Sequence, residues 1–237
     1  MIQRHSIILW KKAEKPDKSY EEISNEAYRV LDLFQDMPCE LRPNYLTAYT
    51  KKDIKEFDWN FENFTNILRA GINKEGKNTF ESLGYSISFF SSLDEEKSCA
   101  FSLCVGNKFE KIYNALIIDL PLVLNLYDKA NAELIISLFR KLVRLYIPYW
   151  GCVSNRVLAR KYGKFLEGSR PTTAHWMNYW SEEVVRAVGI DKIQGFIQGN
   201  QGTSFDDGIL LVKDTAFDLS KEEDIRLHEK IHNQIFL

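Results

Sequence analysis

The sequence predicts an α+β fold, a mainly antiparallel sheet with packed helices, organised as a single domain over residues 1–237. Three observations lead there. Three strand-like runs follow one another through the middle of the chain. Helices with capping signals flank them on both sides. No linker, repeat or low-complexity segment interrupts the 237 residues, a length at which roughly 70–75% of the unfolded surface is buried on folding.

The elements can be argued in order. Ser6 to Lys11 is a short apolar run and reads as a strand. Ser19 with Glu22 forms a capping box that opens a helix from Tyr20 to about Gln35, with Ile23, Ala27, Val30, Leu31 and Phe34 on one face. Pro38 and Pro43 break the chain, and Asn60 to Ala70 reads as a second helix stopped by Gly71. Gly71 to Asn78 reads as a loop. Gly84–Ser92, Ser98–Val105 and Ala115–Leu120 read as three strands of an antiparallel meander.

Asn131 to Tyr146 is the clearest helix, with Leu134, Leu138, Leu142 and Leu145 as its apolar stripe and Arg140, Lys141 and Arg144 off it. Trp150 to Ser154 reads as a strand. Ser181 caps a short helix, Glu182 to Val188, closed by Gly189. Gly208 to Lys213 is a strand, and Ser220 with Glu223 forms a second capping box for a final helix from Lys221 to about Gln234.

Composition narrows the function classes. Hydrophobic residues are 45% and charged residues 27%, a globular balance. Aromatics, at 13%, are ascribed first to the core. A net charge of −2 argues against a molecule built as a whole to hold nucleic acid or anionic lipid. The charge is nevertheless uneven. From Arg140 to Arg170 the chain carries Arg140, Lys141, Arg144, Arg156, Arg160, Lys161, Lys164 and Arg170 against Glu167 alone. From Asp206 to Asp224 it is mostly acidic.

The cysteines Cys39, Cys99, Cys104 and Cys152 form no C-x-x-C pair and read as small buried residues of a reducing compartment. The apolar run at Ile7–Trp10 is too short for a signal peptide, and no stretch approaches the ~20 apolar residues of a membrane span. The expectation is a cytoplasmic protein without a membrane partner.

Four patterns bear on chemistry. His228-Glu229-Lys230-Ile231-His232 is an H-E-x-x-H, which on a helix sets two histidines on one face with a glutamate as general base for a zinc hydrolase. Only five residues follow His232, whereas a third protein ligand usually lies downstream, and Leu227, Ile231 and Ile235 make a core-facing stripe; an amphipathic helix without metal is the preferred reading. Gly195, Gly199 and Gly202 resemble a phosphate loop but lack its lysine and a following helix, so a turn is preferred. No nucleophile elbow is present. The basic stretch, interleaved with Tyr146, Tyr149, Trp150 and Tyr162, offers charge and stacking for single-stranded nucleic acid; a solvated helix face is preferred, and no direct nucleic-acid contact is expected.

The C-terminal third carries a pattern of its own: His175-Trp176-Met177-Asn178-Tyr179-Trp180-Ser181, then Val184-Val185 and Gly189, then Gly208-Ile209-Leu210-Leu211-Val212 with Asp218 and a closing helix. Trp10, the Ser19 helix, Gly84-Tyr85-Ser86-Ile87-Ser88, Cys104-Val105-Gly106 and Asp119-Leu120-Pro121 precede it in order. This arrangement resembles the immunity protein 52 family of bacterial polymorphic toxin and type VI secretion systems, over most of the chain. The resemblance implies a non-enzymatic antitoxin with no cofactor or metal, whose partner is a cognate protein toxin, typically a nuclease of restriction-endonuclease fold. A nuclease site is basic because it holds phosphates, so its inhibitor is expected to present acids and aromatic anchors. On that implication the toxin-binding residues are Asp206, Asp207, Asp218, Glu222, Trp59 and Phe61. Trp176 and Trp180, four residues apart, are expected in the core instead.

Overall fold

A computed structural model describes residues 3–48, 50–162, 165–168 and 170–236. In chain order the elements are β1 (His5–Lys11), α1 (Tyr20–Asp32), β2 (Tyr45–Leu46), β3 (Lys55–Glu56), α2 (Phe61–Ala70), β4 (Lys74–Glu75), β5 (Asn78–Thr79), β6 (Leu83–Phe90), β7 (Ala100–Asn107), β8 (Asn114–Asp119) and α3 (Lys129–Tyr146). There follow β9 (Trp150–Asn155), α4 (Arg156–Tyr162), β10 (Leu166–Glu167), β11 (Arg170–Pro171), β12 (Met177–Trp180), α5 (Glu182–Val188), α6 (Ile190–Gln198), β13 (Ser204–Asp206), β14 (Ile209–Leu211) and α7 (Glu222–Ile231), which runs into a π turn at His232–Phe236. The fold is α+β with a mainly antiparallel sheet, as the sequence predicts.

The chain packs as two compact units. One comprises Leu9–Val123 with Leu145–Ile147. Its strand order is β8-β7-β6-β2-β3, with β1 next to β8 in the sheet order. The meander β6-β7-β8 is antiparallel throughout, and its register stacks Ile87, Leu103 and Leu116 in one row and Phe89, Phe101 and Ile118 in the next. All six are buried, whereas Ser86, Ser88, Ser102 and Cys104 between them are partly or fully exposed. That period-2 alternation is what one covered face of an antiparallel sheet demands. Ile23, Ala27, Val30 and Leu31 of α1 are buried, and Phe34 just beyond its end meets Phe101 edge-on at 5.1 Å. The Tyr20 hydroxyl donates to the Thr65 carbonyl of α2 at 2.5 Å, tying the two helices.

α1 begins as its sequence says. The Ser19 hydroxyl accepts from the Glu22 N–H at 3.2 Å, and the Glu22 carboxylate accepts from the Ser19 N–H at 2.8 Å. Ser19→Ala therefore lowers the unfolding free energy by about 1 kcal/mol. Urea denaturation checks this, and an unchanged midpoint would show that α1 does not depend on the box.

The other unit comprises Met1–Ile8, Leu124–Arg144 and Pro148–Leu237. Its strand order is β13-β14-β12-β9, with β1 next to β9 in the sheet order. The pairs β13/β14, β12/β14 and β9/β12 are antiparallel. β9 is buried along its whole length, which accounts for the unbroken small and apolar run Trp150-Gly151-Cys152-Val153. The buried stripe of α3 is centred on Ile135, Leu138, Phe139 and Leu142; Leu134 and Leu145, assigned to it from sequence, lie at its half-buried margin.

Several readings change. The segment read as a loop at 71–78 contains a β4/β5 hairpin register, and the glycine-rich stretch read as a turn begins inside α6. α6 follows α5 directly across Gly189, whose φ of 99° lets the backbone turn where a β-carbon would be strained. Ser220 does not cap α7. Its hydroxyl and N–H both donate to Asp218 Oδ1, at 2.6 and 3.1 Å, and the N-cap position falls on Lys221. Cys39 is exposed rather than buried, Cys104 is half-buried, and none of the four cysteines is in a disulfide.

Candidate functional site

An open, largely apolar groove lies where β12 ends and α5 begins. Trp180 closes β12, Ser181 follows, and α5 turns back over the strand end with Glu182, Val185 and Arg186. Phe205 of β13 and Gly208 complete an open groove of about 460 Å³. Trp180 is itself 1% exposed, edge-on to Phe236 at 6.1 Å and 6.5 Å from Phe205. Its indole N–H and the Ser181 hydroxyl are buried and have no hydrogen-bond partner among the described residues.

The hairpin beside the groove is built by its turn. Asp206 pairs with Ile209 in register, leaving a two-residue loop of Asp207 and Gly208, with φ of 49° and 76°. Positive φ at both positions is what a type I′ turn requires, and Asp-Gly is among its preferred sequences. A β-carbon at Gly208 would stand 2.7 Å from the Trp180 carbonyl oxygen, so that position excludes other residues on space as well as on φ. The Gly208 carbonyl accepts the Trp180 N–H at 2.9 Å, which anchors the turn to β12.

The residues expected to contact a toxin fall in three places. Asp206 and Asp207 are exposed on this hairpin, and Asp207 pairs with Arg144 of α3 at 3.2 Å. Asp218 and Glu222 stand at the start of α7. Asp218 is half-buried, and the hydrogen bond from the Ser220 hydroxyl holds its carboxyl below the usual range, so this charge is already engaged by its own turn. Glu222 is exposed and paired with Arg226 one helical turn on. The neighbouring Asp224, 3% exposed, accepts from the Asp218 N–H at 2.7 Å and from the Lys213 ammonium. Trp59 and Phe61 belong to the other unit, where they flank Asn60, the N-cap of α2. Trp59 is half-buried against Phe57, and Phe61 is 38% exposed against Tyr28.

The H-E-x-x-H is divided between two conformations: His228 and Glu229 lie on α7 and His232 begins the π turn. His228 is 2% exposed, its Nε2 stands 3.0 Å from the Ala174 carbonyl oxygen, and its ring meets Phe217 edge-on. That geometry spends His228 on packing. His175 lies wholly buried between Trp150 and Phe165, both ring nitrogens without a partner among the described residues. Burial, with His228 nearby, holds His175 down to about 3; burial likewise holds His228 down to about 4. Among the described residues no three His, Cys, Asp or Glu side chains are grouped to hold a metal ion.

Among the described side chains the basic stretch presents no stacking surface, and that of Tyr162 lies outside them. Tyr146, Tyr149 and Trp150 are buried, Arg144 is paired with Asp207, and the Arg170 guanidinium donates to the Phe236 carbonyl at 2.6 Å. Lys164 lies outside the described residues. No helix among the described residues is long and apolar enough to cross a membrane.

The sequence reading passed over Phe205 and the groove. The signal for the hairpin was present in Asp207-Gly208 between Phe205 and Ile209; the groove had none, because it depends on α5 folding back over the end of β12. No protein-family model matches the sequence, and no curated protein matches it.

Proposed function

We propose that this chain is an immunity protein, an antitoxin that binds one cognate protein toxin stoichiometrically and blocks it without catalysis. The observation that carries the reading is the division of labour in the C-terminal third. Of the residues on which the resemblance rests, Trp176, Asn178, Trp180 and Val184 are buried in packing and hydrogen bonding, and Gly189 and Gly208 serve the backbone. Asp206, Asp207 and Glu182 stand exposed on the neighbouring surface. A packed interior under a charged exterior leaves the surface free to be tuned to one partner without disturbing the fold. Acids on that exterior suit a toxin whose own site is basic, a nuclease above all, through faster encounter and complementary contacts. The protein acts in the cytoplasm, where such a toxin arrives.

Co-expression of the chain with the toxin-like open reading frame beside its gene tests this, scored by survival and by a pull-down. Rescue with a one-to-one complex is expected; lethality with no complex would remove the reading. Within that complex, replacing Asp206 and Asp207 together by lysine weakens binding at least about tenfold. The fold is little affected, because the exposed Arg144–Asp207 pair is worth under about 1 kcal/mol. Unchanged affinity would take the hairpin acids out of the interface.

A further inference from the structure

We infer that the toxin docks on the open edge of β13, adding an extended, basic segment of its own as a further strand and seating an apolar side chain in the adjoining groove. This rests on the immunity reading and names the surface and the form of the partner.

β13 is the outermost strand at its end of the sheet order, and among the described residues it pairs with β14 alone. In a two-residue hairpin the residues flanking the turn, here Asp206 and Ile209, form the hydrogen-bonded pair. Phe205 and Leu210 then form the next, non-hydrogen-bonded pair, so the Phe205 N–H and C=O point to the open edge. Exposed edges are ordinarily blunted by shortness, charged side chains, proline or a bulge, because unpaired backbone groups recruit other strands. Ser204-Phe205-Asp206 has no lysine or proline, and its three-residue length and Asp206 restrict pairing here to a short strand of complementary charge.

The edge and the groove belong together. The Phe205 ring lines the groove with Val185 and Trp180, and strand addition draws its specificity from side-chain pockets beside the paired backbone. Charge selects the occupant. Glu182 lines the groove, Asp206 is exposed on the hairpin beside Phe205, and Asp207 is paired with Arg144 at 3.2 Å. Arg186 lines the groove, its Nε donating to the Glu182 carbonyl at 3.4 Å. Glu182, Asp206 and Asp207 against Arg144 and Arg186 leave this surface with one net negative charge, which favours lysine or arginine on the incoming strand.

The test uses the purified complex with the adjacent toxin. Amide hydrogen exchange is followed with and without toxin, and binding is measured for Val185→Arg, which fills the groove, and for Glu133→Lys, a charge reversal at an exposed position of α3. Expected are exchange at 204–206 slowed about tenfold or more in the complex, and affinity reduced at least about tenfold by Val185→Arg but changed less than about twofold by Glu133→Lys. A wild-type complex that protects other segments and leaves 204–206 unchanged overturns the docking surface while the immunity reading stands, and this holds even if Val185→Arg fails to fold. Protection of 204–206 in the chain alone, rising with its concentration, assigns the edge to a second copy and also overturns the inference. No complex with the wild type removes the immunity reading, and the docking surface with it.

Discussion

Trp176→Ala lowers the unfolding free energy by about 4 kcal/mol, the range found when a fully buried large aromatic is truncated. Trp176 is 1% exposed immediately before β12, and its indole N–H donates to the Lys213 carbonyl at 2.9 Å. Alanine removes the packed ring and leaves that carbonyl without its donor. Trp176→Phe keeps much of the volume and loses chiefly the hydrogen bond, so it costs about 1–2 kcal/mol. Urea denaturation followed by circular dichroism measures both. An alanine variant within about 1 kcal/mol of the wild type would show that the site collapses around the gap.

Acid destabilises the protein before its carboxylates titrate. Burial holds His175 down to about 3, and His5 and His228 down to about 4. Lys161 and His232 oppose protonation of His228, while the Ala174 carbonyl and Glu229 favour it. The unfolded chain takes these protons near pH 6.5 and the native state does not. Stability is therefore full above about pH 6.5 and falls as the pH drops toward 4, by about 1.4 kcal/mol per pH unit for each histidine held neutral. Carboxylates whose protonation is disfavoured in the fold, such as Asp218 beside the Ser220 hydroxyl and Glu22 beside the Ser19 N–H, act in the same direction but at lower pH. Denaturation series at pH 5, 6, 7 and 8 should be flat between 7 and 8 and steep below 6. His175→Leu removes about one histidine's share of that slope, and an unchanged slope would show that His175 does not bind its proton on unfolding.

The elements legible in the sequence are those whose signal is local. β6, β7 and β8 alternate because one face is buried, and the Ser19 box is complete within four residues. Ser220 carries the same letters as Ser19, yet Asp218, two residues earlier, captures its hydroxyl and N–H. A short acidic side chain competes for a would-be cap, and Asp224 reaches back to the Asp218 N–H instead. α6 was hidden by Gly195 and Gly199, which spell a turn, while burial of Ile193 and Phe196 holds the helix. At the candidate site the exposed acids could be read from charge alone. The open edge of β13, the groove and the unpartnered Trp180 N–H depend on pairings between segments distant in sequence, where no spacing rule reaches.

The Asp207–Gly208 turn has an evolutionary consequence. Register in this hairpin is set by backbone conformation at the turn and by the Trp180–Gly208 hydrogen bond, with no part assigned to the side chains of Ser204 and Asp206. Substitutions at those two positions alter what the edge offers while the strand stays in place and Phe205 stays on its own face. On the proposed immunity function, a lineage facing a changed toxin can thus revise this surface one residue at a time, with each intermediate still folded.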